Sequence, residues 1–210
     1  MKTISLLTVL APLALLACDA DPAAGKARAT AASAAPVATA AAGAAKLAFS
    51  AQGSKVEYVG AKVTGKHTGG FGAFKGQIAL SDGAVEKSQV SVEVETASLT
   101  SDSDMLTGHL KGADFFNVEK FPKASFTSTA IKAGGEGGAT HTVTGNLELH
   151  GVTKSVSFPA TIKLTGDGAD VDAEFAINRK DFGIAYPGKP DDLIKDDVLI
   201  KLTIRAKKTG

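Results

Sequence analysis

From residue 46 onward the chain alternates apolar and polar side chains with a period of two. The clearest run sets Val156, Phe158, Ala160, Ile162 and Leu164 on one face and Ser155, Ser157, Thr161, Lys163 and Thr165 on the other. Such alternation is the mark of a strand with one buried face. The same pattern carries Val143, Gly145, Leu147 and Leu149; Val171, Ala173, Phe175 and Ile177; Val198, Ile200, Leu202 and Ile204; and Val90, Val92 and Val94. Three further strands are predicted over residues 54–62, 70–80 and 123–132. In the first of these the parity is muddled around Val59, and the second places Gly72, Phe74, Gly76, Ile78 and Leu80 on one side. A helix of two or three turns fits residues 101–111.

Turn signals such as Ser81-Asp82-Gly83, Gly134-Gly135 and Gly166-Asp167-Gly168 separate these strands by short connections. About eight neighbouring antiparallel strands with one apolar face must hide that face. Closure into an up-and-down barrel does so and removes exposed edges, and a two-sheet sandwich is the competing solution. The predicted fold is all-β, an eight-stranded antiparallel barrel with one or two short helices. One stretch breaks the rhythm. Residues 109–126 are too long for a hairpin turn and carry Phe115, Phe116 and Phe121, so they either plug the core or cover an opening.

An eight-stranded barrel lies at the boundary between a filled core and a lumen holding one small ligand. The inferred inner face mixes large apolar side chains with Gly72, Gly76, Gly145, Ala160 and Ala173, and holds almost nothing polar. Two readings follow: a cavity for an extended apolar molecule, or a solid core in which the glycines mark strand bends. On the first, the lumen residues are Phe74, Ile78, Val92, Phe126, Gly145, Leu147, Phe158, Ala160, Ile162, Phe175, Ile177, Ile200 and Leu202, with Phe115 and Phe116 at its mouth. Widening Gly145 or Ala160 to Phe is then expected to cost ligand before it costs the fold.

The amino-terminal part has a different composition. Residues 1–17 read as a signal segment, with Lys2 ahead of an apolar run too short to span a bilayer. Leu15-Leu16-Ala17-Cys18 resembles a lipoprotein signal box, and Cys18 is the only cysteine in the chain. Lipidation at Cys18 is the expectation, with an ordinary export signal as the alternative. Asp19 resembles an inner-membrane retention signal of enteric bacteria, and the choice of membrane stays open. Residues 18–45 are mostly alanine, with Pro22, Pro36, Gly25 and Gly43 and no amphipathic stripe. They read as a flexible linker with a reach of about 25–30 Å, leaving 46–210 as the folded domain.

Charge excludes one class of partner. Loss of Lys2 with the signal leaves 22 basic against 22 acidic residues, and no basic block tracks a phosphate backbone. Nucleic acid is therefore not an expected partner. The four histidines, His67, His109, His141 and His150, show no metal-ligand spacing. His141 and His150 fall on outward or turn positions and are expected in solvent. His109 with Asp114 supplies the acid and base of an alternative reading, a small hydrolase or isomerase.

Several blocks together resemble the YceI-like family: His109-Leu110-Lys111 with Asp114-Phe115-Phe116; Val118-Glu119-Lys120-Phe121-Pro122 with Phe126-Thr127-Ser128-Thr129; Val143-Thr144-Gly145-Asn146-Leu147 with His150-Gly151-Val152-Thr153-Lys154; and Ile177-Asn178-Arg179-Lys180-Asp181-Phe182-Gly183-Ile184. The chain departs from that pattern at Met105-Leu106-Thr107-Gly108, where an Arg-Asp pair is common in the family. The resemblance implies a lipocalin-like barrel binding a long isoprenoid, of polyprenyl or quinone type, in the periplasm, with no catalytic residues and no other cofactor. For Arg179 two roles compete, an ion pair with Asp181 sealing the barrel end or contact with a ligand head group. A ligand-free, stress-related interaction module is a third functional reading, and the oligomeric state, homodimer included, is open.

Overall fold

The computed structural model describes residues 21–39, 41 and 43–209, so the signal segment and Cys18 lie outside the described residues. Its strands are β1 (Thr30–Ser33), β2 (Ala45–Ser50), β3 (Lys55–Lys62), β4 (Gly65–Phe71), β5 (Phe74–Ser81), β6 (Ala84–Glu95), β7 (Leu99–Ser101), β8 (Lys123–Ala133), β9 (His141–Leu149), β10 (Val152–Leu164), β11 (Gly168–Asn178), β12 (Gly188–Lys189), β13 (Asp192–Leu193) and β14 (Asp197–Lys208). A single α-helix among the described residues, α1 (Asp104–Lys111), separates β7 from β8.

β2 and β3 follow one another along β14, with Ala48 opposite Lys207 and Lys55 opposite Thr203. They behave as one bent strand. The pairs β4 with β5 and β6 with β7 are bent in the same way, since β5 lies on β2 while β4 lies on β3. Counted so, eight antiparallel staves close a barrel, each beside its neighbour in sequence, and β14 returns to the first. The closure follows from the alternation. With one apolar face per strand and no partnerless edge, both the hydrophobic surface and the backbone groups are satisfied.

Tight turns close one end, at residues 81–84, 133–141 and 164–168. The other end carries the β3–β4 hairpin, α1 with residues 112–122, and the connection 179–196 between β11 and β14. α1 begins where Ser103 supplies an N-cap, its hydroxyl accepting from the Leu106 amide at 3.4 Å, and it stops at Gly112. Residues 112–122 then fold back on the barrel rim through Thr96, whose amide donates to Pro122 O at 2.9 Å and whose hydroxyl donates to Phe121 O at 2.7 Å.

The alanine-rich stretch expected as a linker contributes β1, which pairs with β10 from Thr30 opposite Ser157 to Ser33 opposite Lys154. Its neighbour Arg28 bridges Ala176 of β11 in parallel fashion. Backbone pairing needs no large side chain, so composition does not reveal this strand.

Candidate functional site

A cavity of about 460 Å³ occupies the half of the barrel that carries the long connections. Its floor is aromatic. Phe158 stacks on Phe175 at 4.2 Å between centroids and 11° between planes, and Phe126 leans on Phe158 at 5.7 Å. The rest of the lumen is a packed core containing Leu47, Phe49, Ile78, Ile131, Val143, Ala160, Ile204 and Ala206. The barrel is thus half filled and half open, which combines the two readings of its inner face.

Of the expected lumen residues, Val92, Phe126, Leu147, Phe158, Phe175, Ile177, Ile200 and Leu202 line this cavity, together with Phe115 and Phe116. Phe74, Ile78 and Ala160 are buried in the core instead, and Ile162 is half-buried against it. Gly145 does not open space either, because the ring of Phe126 already fills the volume a β-carbon would take. Phe49 covers Gly76 in the same way. The expectation that these glycines leave room is corrected by their cross-strand neighbours, and Gly145→Phe would collide with the Phe126 ring of the cavity floor.

Residues outside the strand pattern complete the wall. Leu106, His109 and Leu110 come from α1, and Ile184, Tyr186 and Ile194 from the connection before β14. No periodic signal marks the last three. Residues 109–126 therefore cover an opening and line it: Phe115 is 6% exposed and packs edge-on against His109 at 5.0 Å, while Tyr186 lies 5.4 Å from Phe115. Phe121 turns away and meets His150 edge-on, with 4.5 Å between ring centroids.

Polar groups gather at the rim, and most are paired. Lys62 Nζ lies 2.5 Å from Asp192, whose carboxyl this lysine holds below the usual carboxylate range. His67 Nδ1 lies 2.8 Å from Asp102, a carboxyl held low chiefly by the Thr68 amide and then by His67. His109 Nε2 lies 3.1 Å from Asp114 Oδ2, with both side chains about half exposed. Within the wall, burial pushes the Tyr58 phenol up to about 12, and its hydroxyl donates to Thr100 O at 3.0 Å.

Arg179 is 5% exposed, and its ion pair forms with Asp196 at 3.5 Å rather than with Asp181. Its remaining donors go to carbonyls, Nε to Lys195 at 3.0 Å, Nη1 to Ile184 at 2.7 Å and Nη2 to Ile194 at 3.4 Å. Burial pulls its pKa down from the usual arginine value. The guanidinium is used up in holding the connection 183–196 to the end of β11, the structural role of the two.

Two histidines depart from expectation. His141 has a side chain only 12% exposed, with Nε2 3.7 Å from Glu86. His150 sits in a left-handed turn (φ 52°), its Nδ1 3.2 Å from Phe182 O and its Nε2 buried without a protein partner. Both are drawn from solvent by neighbours distant in sequence, His141 by Glu86 of β6 and His150 by Phe121 and Phe182 of the long connections. No cluster of three metal-ligating side chains occurs among the described residues.

Residues 47–206 match the model of the YceI-like domain. The chain belongs to the YceI-like family. A UPF0312 protein of Pseudomonas putida strain W619 is 39% identical over 139 residues, covering 63% of this chain and 71% of that one. Among solved structures, Burkholderia cenocepacia BcnA superimposes with a TM-score of 0.64 at 25% identity, covering 73% of this chain and 96% of BcnA. A domain from Saccharophagus degradans, described as polyisoprenoid binding and implicated in plant cell wall breakdown, has a TM-score of 0.62 at 16% identity and covers 79% of this chain and 99% of its own. That likeness concerns the fold.

Proposed function

We propose that this YceI-like protein holds an isoprenoid with an uncharged head, such as a polyprenyl alcohol or a quinone, its tail on the aromatic floor and its head at the rim. The carrying observation is the cavity itself, apolar from Phe158 up to Phe115. At roughly 25–30 Å³ per heavy atom, close to the share one water takes in the liquid, 460 Å³ holds about 15 to 18 carbons. A longer chain leaves its remainder at an opening. Rim electrostatics select the head. A diphosphate needs several free donors converging on it, and the cations of Lys62 and Arg179 are committed to Asp192 and Asp196. Among the described residues, Lys189 is the one lining cation with no such carboxylate.

Mass spectrometry of organic extracts from the gently purified protein is expected to find a neutral isoprenoid, and a barrel recovered empty each time would count against the reading. In titrations, geranylgeraniol should bind about tenfold or more tightly than geranylgeranyl diphosphate. Tighter binding of the diphosphate would overturn the choice of head group.

The sequence also supports export and anchoring to the periplasmic face of a membrane through lipidated Cys18. Replacing Cys18 by Ser should move the protein from the membrane fraction into the soluble periplasmic fraction, because the diacylglycerol and N-acyl chain carried by Cys18 supply the whole hold. Retention on membranes would remove the anchor from the proposal.

A further inference from the structure

The barrel wall is not uniform around the cavity. β10 and β11 pair directly only from Thr161 opposite Asp172 to Leu164 opposite Ala169. Toward the cavity end they part, and the amino-terminal segment fills the gap. Residues 30–33 pair with residues 154–157 of β10. On the opposite side, Ala29 N donates to Ala176 O and Ala176 N donates to Ala27 O, both at 2.8 Å. Two interstrand spacings place β10 and β11 about 10 Å apart at this level. Phe158 and Phe175, one on each side of the gap, are the floor of the cavity.

We infer that this seam is a second, lateral entrance to the cavity, through which an isoprenoid tail passes when residues 27–33 swing out. The inference rests on the cavity being the lipid site. Its physical basis is the weakness of the inserted stave compared with every other. The apolar side chains of the segment are Ala27, Ala29, Ala31 and Ala32, which bury little apolar area and favour strands poorly. Of its charged contacts, Lys26 with Glu174 joins two partly exposed side chains, where an ion pair is worth little, and Arg28 with Asp197 sets an exposed guanidinium on a buried carboxylate, the one firm side-chain hold on the segment. By contrast β14 faces β11 along an unbroken register from Asp197 to Lys207. A stave held mainly by backbone bonds whose groups water can satisfy opens at low cost and leaves the other walls intact.

The chain also supplies a tether for the swing. Beyond β1, Asn146 grips Ala35 through both its amide oxygen and nitrogen, at 2.9 and 2.7 Å, and Gln89 reaches Ala38 O at 2.5 Å. The displaced segment thus stays beside the slot it left. A side entrance suits a ligand longer than the cavity, since the tail can enter sideways without threading past Phe115, Tyr186 and the rim ion pairs.

Two measurements test this. In the unmodified chain, amide exchange should be about 100-fold faster at Ala176, which faces the inserted segment, than at its neighbour Phe175, which faces β14; equal protection would overturn the weak seam. In a Cys18→Ser background, a disulfide between Ala32→Cys and Ser155→Cys, opposed positions of β1 and β10, locks the stave. Stopped-flow fluorescence of all-trans-retinol, an isoprenoid alcohol, is expected to show entry and exit slowed about tenfold or more in the oxidised form, with equal affinity and full recovery on reduction. Retinol that binds with the same rates in both forms overturns the entrance alone. Retinol that fails to bind the reduced form overturns the cavity reading, and the entrance with it.

Discussion

Arg179→Ala should lower the unfolding free energy by about 3–5 kcal/mol, the usual cost of removing one partner of a buried charged network. The side chain is 5% exposed and donates to three carbonyls of one connection, those of Ile184, Ile194 and Lys195. Deleting it strands those acceptors, and each stranded buried acceptor costs about 1–3 kcal/mol unless water reaches it. The backbone contacts Arg179 N to Asp196 O and Ile184 N to Arg179 O remain, so the connection loosens without detaching. Arg179→Lys keeps the charge but loses the planar fork, and it should recover less than half of the loss. Urea denaturation of the three proteins decides the matter, and a loss below about 1 kcal/mol would mean that the carbonyls find other partners. Because Ile184, Tyr186 and Ile194 line the cavity, the same variants should weaken ligand binding.

Phe158→Ala should cost a similar amount, about 3–5 kcal/mol, through lost burial and the void left behind. The ring is 6% exposed and is clasped by Phe175 and Phe126. Its removal also deepens the cavity at its floor by the volume of the ring, so the stability loss comes with a change in selectivity. Relative affinity should shift toward longer polyprenyl alcohols, read by titrating farnesol, geranylgeraniol and longer homologues. An unchanged order of affinities would place the depth limit elsewhere.

Strands with one buried and one wet face were legible in the sequence, and the barrel follows from their number and short connections. Legibility failed wherever both faces are covered. In β3, Tyr58 lines the cavity, and its neighbour Val59, of opposite parity, is buried as well. No alternation survives such double burial. The extent of the cavity was legible only in part, because a glycine on an inner face does not announce whether a ring from the next strand covers it. Phe49 over Gly76 and Phe126 over Gly145 are facts of packing between strands. The contributions of Ile184, Tyr186 and Ile194 come from an irregular connection, and β1 from alanines that carry no apolar signal.

The insertion of β1 also sets an order of events during synthesis. The segment is synthesised well before the edges it pairs with, on β10 and β11, which belong to the last third of the chain. Until those strands exist, residues 27–33 have no partner, and until the segment docks, two long strand edges stand unpaired beside an apolar lumen. Such edges invite pairing between molecules. Contacts this distant in sequence form slowly because a large loop must close first. Barrel closure is therefore the late step of folding, and the interval before it is when the protein is most exposed to aggregation.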